Sequence, residues 1–194
     1  LPPGNYGLEL SFLRDAIKNS NAYASGISTA AKTGKNKVSY PDTDIAHQLK
    51  NVALMISGGM KTKVYVVTQD FFDTHAHQVQ PGNTTSGLHA NLLKTVSDAI
   101  LAFQNDLKAQ GLQKRVIGVS LSEFGRQIKS NASFGTDHGT AAPLFLFGAC
   151  AKPQILGSTP VIPAVVPDQE GVAMQYDFRD VYGSLLQDWF GADI

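Results

Sequence analysis

The longest regular pattern in the chain is "TTSGLHANLLKTVSDAILAFQNDLKAQG", residues 84–111, and it limits what the rest can fold into. Leu88, Leu92, Val96, Ile100, Phe103 and Leu107 follow one another at three- and four-residue steps, the spacing of one helix face, and Gly111 supplies a stop. Apolar, β-branched runs flank this helix, "TKVYVVTQ" before it and "KRVIGVS" after it, and both read as strands. Strand, long helix, strand is the unit that crosses over right-handedly between parallel strands. "APLFLFGAC" adds a third apolar strand. The expected architecture is therefore α/β: a mostly parallel sheet with helices on both faces, in a single domain over residues 1–194.

The remaining segments fit around that unit. Residues 7–30 mix helical spacing (Leu10, Leu13, Ile17) with small residues, which predicts one helix running into a second, weaker one. "TGKNKVSYPDTD" is a loop, rich in Lys, Asn, Gly and Pro. In "DTDIAHQLKNVALMISGG" one face carries Ile45, Leu49, Val52, Ala53 and Ile56, with Asp44 as the expected N-cap and Gly58-Gly59 as the stop. Near the end, Phe178, Val181, Tyr182, Leu185, Leu186 and Trp189 form a helical stripe that reads as core, capped by Asp177.

Composition narrows the function classes. Lys+Arg and Asp+Glu balance at 16 each, so no basic field points to nucleic acid. No run approaches the ~18 apolar residues of a membrane span, and no signal peptide is visible. The chain opens "LPPGNYG", without methionine, as expected of a processed or trimmed product. The single cysteine, Cys150, has no internal disulfide partner and reads as a buried, inert thiol within an apolar stretch.

In an open parallel sheet, ligands bind beyond the carboxyl ends of the strands. Two expected strand ends carry dense polar clusters, "QDFFDTHAHQ" and "SEFGR", and a third cluster, "GTDHGT", sits in the loop before the third strand. Aspartate and imidazole are ordinary ligands of Zn²⁺ or Mn²⁺, and three protein ligands with an open position describe a hydrolytic metal site. The candidate ligands are Asp73, His75, His77, Asp137 and His138. His75 and His77, two apart, share a face of an extended segment, whereas a tight turn can bring together Asp73 and His77, four apart. Glu123 could bind metal or act as a general base, and Arg126 could hold an anionic oxygen with its fork. Plainer readings exist for each: Asp73 and Asp137 as turn caps, and Glu123 with Arg126 as a local ion pair. "DTHAH" also mimics the start of a TIM-barrel amidohydrolase, but the 117 residues after His77 fall far short of a barrel of ~250.

The segments "DFFDTHAHQ", "RVIGVSLSEFGR", "NASFGTDHGTAAPLFLFG" and "DFRDVYGSLLQDWFG", in this order, resemble an uncharacterised exported bacterial family, domain of unknown function fifteen-oh-one. The resemblance covers most of residues 44–191 and is to the carboxyl-terminal half of that family. It implies a longer precursor carrying an export signal, a periplasmic or extracellular location, and an amino-terminal half that acts as a partner to this part. The family is in turn similar to the alkaline phosphatase-like superfamily, which implies two metals, a Ser or Thr nucleophile and small anionic ester substrates (phosphate or sulfate). By that resemblance Asp73, His77 and His138 hold one metal, while the family's own Asp-Thr-His favours His75. The second metal's Asp-His pair reads Glu123-Phe124 here, and Phe124 cannot ligate. A non-catalytic exported binding or scaffold protein with a degenerate site is the alternative that this departure implies.

Overall fold

The computed structural model describes residues 2–140 and 142–193; Leu1, Ala141 and Ile194 lie outside it. The elements run α1 (Asn5–Thr33), α2 (Asp44–Ser57), α3 (Leu88–Ala109), β1 (Gly118–Val119), β2 (Gly125–Arg126), β3 (His138–Gly139), β4 (Leu146–Phe147) and α4 (Phe178–Ser184). A single 3-10 turn, Gln113–Arg115, precedes β1, and α4 runs on into a wider-wound turn at Leu185–Trp189.

The expected α/β architecture is overturned. Among the described residues there is no parallel sheet; β1 pairs with β4 and β2 with β3, each antiparallel and two residues long. The "TKVYVVTQ" run forms no strand, and Val64 and Val66 are largely exposed. The reason is physical: a β-branched run becomes a strand only when another strand takes up its backbone groups. Here the Thr68 backbone is bonded instead by a side chain, its N–H donating to Gln48 Oε1 at 2.9 Å while its carbonyl accepts from Gln48 Nε2 at 2.9 Å. "KRVIGVS" and "APLFLFGAC" do meet, but as neighbours in an antiparallel pair, with Gly118 opposite Phe147.

The chain divides into two units, Leu1–Gln69 with Thr95–Gln113, and Asp70–Lys94 with Lys114–Ile194. The first is helical and holds every fully buried apolar side chain among the described residues. Ile45, Leu49, Ala53 and Ile56 of α2 form the expected face, while Val52 is half-buried. Asp44 begins the helix and Thr43 precedes it as the cap, one residue from the expected place. On α3 the buried face is Ala99, Ala102, Phe103, Asp106 and Leu107, rotated from the expected stripe, and Leu88 is half exposed. Each Leu, Ile or Phe buried there contributes roughly 1.5–3 kcal/mol. The helix stops where Gly111 takes a φ of 73°, which lets the Leu112 N–H close back onto the Leu107 carbonyl at 2.8 Å. α1 is one continuous helix of 29 residues rather than two.

Asp106 is the polar centre of this unit. It is fully buried, and its carboxylate accepts from Asn36 Nδ2 (2.9 Å), the Lys37 N–H (2.8 Å), Tyr40 Oη (3.0 Å) and Gln110 Nε2 (2.8 Å). Burial alone would raise its pKa; the four hydrogen bonds outweigh burial and hold the carboxyl below its usual range. Tyr40 is pushed strongly upward, first by burial and then by this same bond. The loop at residues 34–43 is thereby tied to α3.

Among the described residues the second unit has no comparable apolar core; those buried in it are Thr74 and Gly135. Polar contacts fasten its long connections instead, such as Lys129 Nζ to Asp168 Oδ1 at 2.5 Å and Thr140 Oγ1 to the Val172 carbonyl at 3.1 Å. Asp177 caps α4 as expected, accepting the Arg179 N–H at 2.9 Å, and the Arg179 guanidinium holds its carboxyl down at about 2. The aromatic stripe of this helix is not core: no residue from Phe178 to Trp189 is buried, and Phe178 is half exposed. Cys150 is likewise exposed rather than buried, its thiol directed at the Lys114 carbonyl. In both cases apolar spacing is present, but among the described residues no layer covers it.

Candidate metal centre

The second unit gathers the expected polar segments. Asp73 and His75 lie on two successive three-residue turns, in which the Thr74 N–H donates to the Phe72 carbonyl at 2.9 Å and the His75 N–H to the Asp73 carbonyl at 3.2 Å, while Thr74, between them, is buried. His138 arrives from β3, opposite Arg126 of β2. Asp73 Oδ1 lies 2.7 Å from His138 Nε2 and 3.1 Å from His75 Nε2. These three ligand atoms, all on exposed residues, lie within 4.8 Å of one another, so the group could hold a metal ion. The hydrogen bond from His138, then the nearby charges of His75, His138 and Arg126, keep Asp73 below the usual carboxylate range.

Each imidazole is held from outside the group by a different device. His75 Nδ1 is 2.9 Å from Asp137 Oδ1, on the ring edge away from Asp73. The His138 ring stacks on Phe124, with centroids 3.8 Å apart and 13° between planes. Asp137 is itself lowered, first by its bond with His75 and then by Asn131. Gly135 makes the approach of this loop possible, because a Cβ there would fall 2.2 Å from the His75 carbonyl oxygen.

Arg126 is turned inward. Its guanidinium donates to the carbonyls of Phe72 and Thr136, makes a long contact with Thr74 Oγ1 (3.4 Å), and lies 3.9 Å from Asp73. It thus ties the 72–75 stretch to the 136–138 stretch, and it also sits 4.9 Å over the Phe124 ring. Phe72 in turn packs edge-on against His89, whose burial lowers its pKa.

Two expected site residues stand apart. His77 has a φ of 53°, a left-handed conformation, and its ring is not among the grouped ligand atoms. Its backbone joins the scaffold, donating to the Ser133 carbonyl at 2.9 Å and accepting from the Leu88 N–H at 3.2 Å. Glu123 is exposed on the approach to β2 and does not join the group either. Of the two histidines left open by sequence, His75 is the one beside Asp73 and His138. Asn131 is a residue that sequence reasoning missed; an Asn-x-Ser turn between two polar clusters was the available signal.

Among the described residues no helix is long and apolar enough to cross a membrane. No curated protein and no solved structure matches the chain. Residues 25–179 match the family described as "Protein of unknown function (DUF1501)", a span that takes in Asp73, His75 and His138 together with Phe124 and Asp137, and the chain belongs to that family.

Proposed function

We propose that this chain carries the metal-binding part of an exported, divalent-metal-dependent hydrolase acting on small phosphate or sulfate esters. The observation that carries the reading is the convergence of Asp73 Oδ1, His75 Nε2 and His138 Nε2 on one exposed spot. One carboxylate oxygen and two imidazole nitrogens are donors that suit Zn²⁺ or Mn²⁺, and exposure leaves a coordination position open. When bound, the ion supplies Lewis acidity toward an ester oxygen. Asp73, His75 and His138 hold it, Phe124 and Asp137 orient the two imidazoles, and Arg126 braces the backbone on both sides. Glu123, exposed and outside the group of three, is the proposed acid–base group.

The similarity to alkaline phosphatase-like enzymes noted from sequence supports the choice of ester chemistry; the fold does not. On this reading the nucleophile comes from an amino-terminal part of the precursor, with the reaction taking place outside the cytoplasm. Turnover of p-nitrophenyl phosphate and p-nitrophenyl sulfate by the full-length protein, with Zn²⁺ or Mn²⁺ added, tests it. Activity that disappears in Asp73→Ala supports the reading.

A binding or scaffold role is favoured by one specific observation. Arg126, the cation nearest the group, spends its donors on backbone carbonyls rather than facing an anion. Metal uptake without turnover of either ester would select this second role.

A further inference from the structure

We propose that Asp137, steadied by Asn131, is the positioning residue that fixes which nitrogen of His75 faces the metal; this rests on the metal-binding reading above. The two ring nitrogens of a neutral imidazole are not equivalent, since one carries the proton and the other the lone pair. Asp137 Oδ1 stands 2.9 Å from Nδ1, whereas Asp73 Oδ1 stands 3.1 Å from Nε2, at the opposite edge of the ring. An Nδ1–H donated to Asp137 leaves the lone pair on Nε2, directed at the spot shared with Asp73 and His138. The two aspartates, alike in sequence as candidate ligands, thereby take different roles. Asp73 belongs to the ligand set and Asp137 to the layer behind it.

Asn131 makes the arrangement specific. Its Nδ2 donates both to Asp137 Oδ1 at 3.2 Å and to the His75 carbonyl at 2.8 Å, so one amide spans the carboxylate and the residue it orients. Its Oδ1 accepts the N–H groups of Ser133 at 3.0 Å and Gly135 at 3.1 Å, which fixes the amide in the orientation that puts Nδ2 on these oxygens. The Asn131 N–H closes the loop onto the Gly135 carbonyl at 2.8 Å. Carboxylates placed this way behind a metal-bound histidine change affinity by roughly 10–100-fold when removed.

The test is Zn²⁺ binding to the whole chain, measured calorimetrically against a competing chelator, with the His75 ring read in parallel by ¹⁵N spectroscopy. The spectra are taken on metal-free protein at a pH where the imidazole is neutral. Asp137→Ala is expected to weaken Zn²⁺ by roughly 10–100-fold with one ion still bound, and Asp137→Asn, which keeps an acceptor oxygen, to fall between it and wild type. Asn131→Ala shifts affinity in the same direction by less. The ring is expected as the Nδ1–H tautomer in wild type, moving toward the Nε2–H form in Asp137→Ala. Unchanged affinity in Asp137→Ala, or loss of binding as complete as in Asp73→Ala, overturns the assignment; the second result makes Asp137 a ligand. A wild-type protein that takes up no Zn²⁺ removes the metal-binding reading, and the ring spectrum then decides alone. An Nε2–H tautomer in wild type overturns the inference in either case.

Discussion

Asp106 and Asp73 are both aspartates ringed by polar partners, one in each unit, and they do opposite things. Asp106 is sealed from solvent and meets four donors whose charge does not change near neutrality: two amides, a backbone N–H and a phenol. Such a carboxylate is finished; nothing can be added to it, and it serves to lock a loop onto a helix. Asp73 is exposed and meets two imidazoles whose lone pairs can be turned to an ion. The contrast extends to the units around them. The first is built on packed aliphatic faces, whereas the second, without an apolar core among the described residues, is fastened by Arg126, Asn131 and short antiparallel pairs. Polar residues buried among neutral donors read as architecture, and polar residues gathered in solvent around one oxygen read as a site.

The strongest way to break the contrast is truncation at both positions. Asp106→Ala strands four donors in a buried space, and chemical denaturation should show a loss of roughly 3–5 kcal/mol. Asp73→Ala should leave the denaturation midpoint where it is and remove Zn²⁺ uptake. Reversed outcomes would mean that the two aspartates have been assigned the wrong way round.

The neighbouring histidines sharpen the functional half. His75→Ala is expected to abolish Zn²⁺ binding in equilibrium dialysis, while His77→Ala leaves affinity within about twofold. Loss in His77→Ala instead would show that the turn at residue 77 rearranges when metal binds.

Acid separates the units more gently. The folded-state pKa of Asp106 is depressed, so its contribution to stability is fully present above the usual carboxylate pKa and disappears as pH falls through the lower folded value. Helical signal followed by circular dichroism should therefore weaken as pH drops below about 4. Asp106→Asn should flatten that dependence. A wild-type protein whose stability is level from neutrality down to that range would remove Asp106 from the account. The smallest effect is expected at Phe124→Ala, which frees the His138 ring and should weaken Zn²⁺ by roughly two- to tenfold.

Much of the site was legible in the sequence and much of the fold was not. Asp73, His75, Asp137 and His138 were marked by residue chemistry and clustering, and the structure gathers them, although the strand expected to deliver Asp73 and His75 does not form. What delivers them is local: two successive three-residue turns at residues 72–75 and a short pairing of Arg126 with His138. Helices α2 and α3 were readable because their periodicity is carried within single segments. The parallel sheet was not, because β-branched runs such as residues 62–69 specify a strand only together with partners elsewhere in the chain. Asp106 was invisible for a related reason. A buried acid looks like any helix-surface acid until the four donors, from residues 36–40 and 110, are brought to it.

The measurement that bears most directly on the central claim is anomalous scattering from crystals of the protein grown with Zn²⁺. The account predicts one ion at ~2.0–2.2 Å from Asp73 Oδ1, His75 Nε2 and His138 Nε2, with Asp137 remaining on His75 Nδ1 outside the coordination shell. An ion held by His77 in place of His75, or no ion at this group in zinc-saturated crystals, would contradict it.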